Sequence, residues 1–144
     1  MITKIISIGG GCHCGNIGYR LFTPAPPGKL AVRACRCSFC TKHGVRYSSH
    51  PHAELAIRIG NKDLVEGYRF SKKIVEFVFC LRCGVMPYVL AHIEGNTYAV
   101  ININTADADF SEVTPTPLDL SSESAEDALA RRKKVWIATV RFEE

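Results

Sequence analysis

The seven cysteines fall into three tight clusters, Cys12-His13-Cys14, Cys35-Arg36-Cys37-Ser38-Phe39-Cys40 and Cys80-Leu81-Arg82-Cys83, and none is left over. Spacings of one or two residues are too tight for ordinary structural disulfides, and an odd total cannot pair off completely. The pattern favours a chain that folds around metal ions in a reducing, cytoplasmic compartment over a secreted, disulfide-stapled one.

Metal geometry sets terms for the backbone. Cysteines two apart on a strand lie about 6.6 Å from each other. Two thiolates on one tetrahedral zinc must approach to about 3.8 Å. The chain therefore has to bend at Cys12 and Cys14, and Gly9-Gly10-Gly11 before them and Gly15 after them supply that freedom. Cys80 to Cys83, followed by Gly84, reads as a second two-ligand turn. Brought together by a sheet, the two turns make a closed four-thiolate zinc site. Such sites contribute about 10–16 kcal/mol, as much as the whole stability of a domain, so removing this ion is expected to unfold the protein.

The central triplet offers three ligands from one loop and leaves a fourth position open, the arrangement of a catalytic or ligand-exchanging zinc. Three thiolates leave the zinc site negative and weakly Lewis-acidic, suited to holding an incoming thiol as thiolate. Spacing alone leaves other divisions open. A triplet ligand could join one of the pairs, or His43 could complete the triplet as a structural site. Arg33, Arg36 and Lys42 crowd the triplet, where they either receive carboxylates of a ligand or compensate the thiolates. His43, next to Lys42, is a candidate for touching substrate or supporting a ligand. His13 is expected to point away from its neighbours' metal, His50-Pro51-His52 to form a surface turn, and His92 to be structural.

Apolar residues alternate with period two along most of the chain, so the expected fold class is mainly β, in one domain over residues 1–144. The faces are Ile17/Tyr19/Leu21, Leu30/Val32, Leu55/Ile57/Ile59, Val75/Phe77/Phe79, Met86/Tyr88/Leu90, Ala99/Ile101/Ile103 and Trp136/Ala138/Val140/Phe142. Met1 to Ile8 reads as a first strand. Turn residues break the pattern at Thr23–Gly28, Gly60–Asp63 and Glu94–Asn96. Residues 104–120 read as a long acidic loop, either a lid or a connector. One helix is expected from Ser122 to Lys133, capped by Ser121 or Ser122, with the Arg131-Arg132-Lys133-Lys134 run as its solvated end. No run approaches the roughly 20 apolar residues of a membrane span. The formal charge of +4 counts every cysteine as neutral, and metal-bound thiolates would consume most of it, so nucleic-acid binding gains little support.

The order Gly-Gly-Cys12-His-Cys14-Gly, Cys35-x-Cys37-Ser-Phe-Cys40-Thr-Lys-His-Gly44, Tyr68-Arg-Phe and Phe79-Cys80-x-x-Cys83-Gly84 resembles the glutathione-dependent formaldehyde-activating enzyme family, which also includes centromere protein V. The resemblance implies a β-tent of antiparallel sheets with two zinc ions per chain. Cys12, Cys14, Cys80 and Cys83 would hold the structural one; Cys35, Cys37 and Cys40 would hold a second, more labile one that is catalytic. It implies addition of glutathione to formaldehyde, formally a carbon–sulfur lyase reaction in reverse; Lys42, His43 and Arg36, which lie in and beside the triplet, are the expected substrate contacts. Two non-enzymatic roles stand beside it: a zinc-stabilised thiol carrier or interaction module, and chromatin association, against which the lack of a long basic extension counts.

Overall fold

Where apolar residues alternate the chain is extended, and the computed structural model, which describes residues 4–70 and 74–143, is mainly β. In chain order its first half contains β1 (Ile6–Gly11), β2 (Ile17–Thr23), β3 (Val32–Cys35), helix α1 (Ser38–His43), β4 (Tyr47–Ser48) and β5 (Glu54–Ile59). Its second half contains β6 (Val65–Tyr68), β7 (Val75–Cys80), β8 (Tyr88–Ile93), β9 (Asn96–Asn102), β10 (Thr116–Leu118), helix α2 (Ala125–Val135) and β11 (Thr139–Glu143).

The strands make two sheets, one ordered β1-β2-β5-β11 and the other β10-β3-β4-β9-β8-β7-β6. Pairing is antiparallel, as expected, except that β10 runs parallel to β3 and β11 parallel to β5. Both exceptions come from the last part of the chain, which returns to sheets already built. Ile137 exchanges two backbone hydrogen bonds with Ala99 of β9, at 2.9 and 3.0 Å, before the chain crosses to the other sheet as β11.

The larger sheet is covered on both faces. On one side Tyr88, Leu90 and Ile101 pack against Ile17, Leu21, Leu55 and Ile57 of the smaller sheet. On the other, Phe77, Val89, Ala91 and Val100 pack against Trp136, Leu129 and the residues around α1. Strand β8 is thus buried on both faces, which explains its near-continuous apolar run. Each large side chain buried in these layers contributes about 1.5–3 kcal/mol.

Several expectations are corrected. The first strand spans Ile6–Gly11, so the glycines lie within it, and residues 1–3 fall outside the described residues. Helix α2 starts later than expected: Ser124 is its cap, accepting from the Asp127 amide at 3.0 Å, because Glu123 is drawn to Arg131 instead of the first turn. The final alternation fails. Trp136 and Ile137 are consecutive and both buried, since they form the helix-to-bridge junction, while Ala138 and Phe142 are exposed. The 104–120 segment carries β10, so it is a sheet component and not a bare loop. Among the described residues no helix is long and apolar enough to cross a membrane.

Candidate functional site

Two groups of sulfur ligands are assembled by different means. Cys12 and Cys14 follow β1 in the smaller sheet; Cys80 ends β7 of the larger one and Cys83 lies in the turn that leads to β8. The four sulfurs come within 4.8 Å of one another, so this cluster joins the sheets. The Cys12–Cys14 turn is closed by Cys12 N–H to Ile17 O at 2.9 Å and by the Ile17 amide donating to Cys12 Sγ at 3.2 Å. Gly11 has φ 156° and a Cβ there would collide with Ile17 O, so only glycine admits this close approach. On the other side, Gly84 N–H donates to Cys80 O at 2.8 Å and Cys80 N–H to Val85 O at 3.0 Å.

These sulfurs suit a tetrahedral ion. Cys12 and Cys14 Sγ are 3.7 Å apart, and Cys14 and Cys80 Sγ 3.5 Å apart. A zinc with bonds of about 2.3 Å asks for about 3.8 Å between sulfurs. Cys80 and Cys12 are buried and Cys14 is exposed, which places the cluster at the rim where the sheets meet.

The second cluster is local. Cys35 ends β3, Cys37 caps α1 and Cys40 lies in its first turn, and their sulfurs also fall within 4.8 Å of one another. Helix α1 was not anticipated; its signal was present in Lys42-His43 followed by Gly44, which closes the helix in the left-handed region at φ 61°. Cys37 Sγ accepts from the Cys40 amide at 3.4 Å, as a serine cap would. Buried Cys40 meets the Tyr47 hydroxyl at 3.2 Å. Within the triplet a hydrogen bond from Cys40 holds the Cys35 thiol well below its usual pKa; burial opposes this, and the Cys37 groups and the charge of Arg131 support it. Cys40 is pushed up by that same bond and by burial.

Beside the triplet lies a cavity of about 350 Å³, within the range of small-molecule sites. Its floor is the larger sheet's outer face, including Phe77, Val89 and Val100; α2, Trp136 and residues 118–121 enclose it, and all three triplet cysteines line it. The acidic segment therefore contributes a wall. Four arginines, Arg33, Arg36, Arg131 and Arg132, face the cavity against two carboxylates, Asp119 and Glu123.

The expected substrate contacts are only partly brought together. Arg36 lines the cavity, whereas Lys42 and His43 do not. Both sit in the exposed last turn of α1, where the His43 ring lies 4.6 Å from that of Phe39 and 5.5 Å from that of Phe79. The Arg131–Lys134 run is solvated only in its second half. Lys133 and Lys134 are exposed, while Arg131 and Arg132 turn inward, continuing at helical spacing the stripe begun by Ala125 and Ala128. That continuation was the available signal, and charge alone concealed it. Arg131 is held by Glu123 through two hydrogen bonds of 2.9 and 3.1 Å. Arg132 lies over the Trp136 ring at 5.5 Å, and its buried Nε has no hydrogen-bond partner among the described residues. Burial, then the charge of Arg131, holds Arg132 below its usual pKa.

Paired β sheets joined through one cysteine cluster, with a second cluster opening on a ligand-sized cavity, define a mainly β protein whose two groups of sulfurs could hold metal. The chain belongs to the glutathione-dependent formaldehyde-activating enzyme family, whose model matches residues 7–119. That match covers both cysteine clusters and stops before α2. The fold is also that of a crystallised Rhodobacter sphaeroides protein, a structural-genomics target. The two share 21% identity and a TM-score of 0.60 over 76% of this chain and 97% of that one. Family membership ties the chain to glutathione-related formaldehyde activation, with cysteine clusters that could bind metal.

Proposed function

We propose that this protein is a zinc-dependent enzyme that joins glutathione to formaldehyde, giving S-hydroxymethylglutathione, and that it also runs the reverse carbon–sulfur cleavage. One observation carries the reading: the three-cysteine cluster opens onto a ligand-sized cavity in a chain of this family. Cys12, Cys14, Cys80 and Cys83 would hold a structural zinc and Cys35, Cys37 and Cys40 a second, exchangeable one. A zinc ion on three thiolates supplies a site that lowers the pKa of an incoming thiol.

The remaining work falls to the chain. In the reaction a carbon–sulfur bond forms as the glutathione sulfur adds to the carbonyl carbon. The carbonyl π pair moves to oxygen, which takes up the proton that the thiol gave away. Phe77, Val89, Val100 and Trp136 exclude water from the thiol's surroundings, and Arg36 at the mouth attracts the anionic tripeptide. Tyr47 fixes Cys40 through their shared hydrogen bond. Clustered ligand thiols require a reducing compartment, so we place the activity in the cytoplasm.

Cys37→Ser tests the reading with little risk to the fold, because serine is a favoured helix cap and replaces only the sulfur. Elemental analysis should give two zinc ions per chain for the natural protein and one for the variant. Formaldehyde consumption dependent on glutathione should disappear while circular dichroism is unchanged. Turnover that survives in the folded variant rejects the triplet as the site of the chemistry, and a natural protein without turnover leaves a thiol carrier or interaction module.

A further inference from the structure

Arg132 is the unexplained group of the cavity. Arg131 is held by Glu123, and Arg33 donates to the Ser49 hydroxyl. Arg132 lies over the face of Trp136, and its buried Nε lacks an acceptor among the described residues. Compensation of the thiolates does not account for it. Four arginines face the cavity against two carboxylates, and a three-thiolate zinc site carries only a single net negative charge. One positive charge is left over in the cavity, and Arg132 is the arginine whose buried Nε is left without an acceptor among the described residues, on a rigid fork whose geometry matches a carboxylate.

We propose that Arg132, presented on Trp136 by α2, is the specificity-determining residue that receives the free C-terminal carboxylate of the thiol peptide. The inference rests on the reading above, and it adds a recognition site contributed by a segment beyond the family match. Electrostatics selects the end of the ligand. The γ-glutamyl end of glutathione pairs its carboxylate with an ammonium group, so it is neutral overall and its ammonium is repelled by Arg33 and Arg132. The glycyl end carries only a carboxylate. It also lies one residue along the peptide from the thiol, compatible with Arg132 and Cys35 lining one cavity.

The chain provides its own reporter, because Trp136 is its single tryptophan and lines the cavity under Arg132. The zinc-loaded protein is titrated with S-methylglutathione, which has no free thiol, and with the same compound esterified at the glycyl carboxylate. Binding is read by Trp136 fluorescence and by calorimetry. The acid should bind saturably and at least tenfold more tightly than the ester. In Arg132→Gln this preference should vanish, and Arg132→Lys should restore part of it. Equal binding of acid and ester by the unaltered protein overturns the proposal without reference to any variant, as does a preference retained in Arg132→Gln. The two readings fail separately. Turnover without the preference removes the arginine site and leaves the reaction, whereas the preference without turnover removes the reaction and leaves the site.

Discussion

The Tyr47 hydroxyl and the Cys40 sulfur lie 3.2 Å apart in a buried pocket, so one cysteine of the triplet is fixed by a residue on the next strand. Tyr47→Phe removes that bond without opening a cavity. It should cost about 1 kcal/mol in urea unfolding, the usual net worth of one hydrogen bond. The Cys40 sulfur also becomes a stronger donor, so metal should leave the triplet several-fold more slowly under chelator competition. Faster release would show that the hydroxyl tightens the site.

Loss of a ligand should have opposite structural consequences in the two clusters. Cys80→Ser removes a buried sulfur that helps tie the sheets together, and the protein should lose its cooperative thermal transition. That loss follows from a binding energy of about 10–16 kcal/mol set against a domain stability of about 5–15. Cys37→Ser should retain the transition. Calorimetric scans of both variants with bound metal counted decide it, and two equal outcomes contradict the division between a joining cluster and a local one.

Gly11→Ala should be among the most damaging of the single-methyl changes. Its φ of 156° and the approach of Ile17 O leave no room for a Cβ, so the turn that sets Cys12 must deform. A loss of about 1–3 kcal/mol is expected, with weaker metal retention by the four-cysteine cluster. Normal stability and metal content would mean that the turn adapts.

Ser124→Ala tests how firmly the cavity wall is held. Ser124 caps α2 through its 3.0 Å bond from Asp127, and its loss should cost about 1 kcal/mol. Fraying at Ala125 and Ala128 admits water to the cavity, so Trp136 emission should shift to longer wavelength while metal content stays unchanged. An unshifted spectrum would mean that the first turn does not seal the cavity.

The parts legible in the sequence are those encoded at short range. Alternation in Ile17/Tyr19/Leu21 and Met86/Tyr88/Leu90 reports buried faces because each strand's period is its own property. The cysteine pairs are legible because ligand spacing is local. The same reasoning missed α1, six residues long and lacking an apolar stripe, and it carried an alternation through Trp136, where a helix ends. The cavity was beyond reach for a further reason. Arg33 and Arg132 share it only because β3 and α2 are brought together by sheets that neither segment encodes. A run of four basic residues does not reveal which of them turn inward unless the preceding alanines are read as the start of their face.

The order in which these parts are synthesised follows from their positions. All seven cysteines precede α2, so both thiol clusters are complete before the wall that encloses the triplet leaves the ribosome. Metal that the triplet could hold would therefore have an open face to enter by until α2 has followed, and a covered one to leave by afterwards.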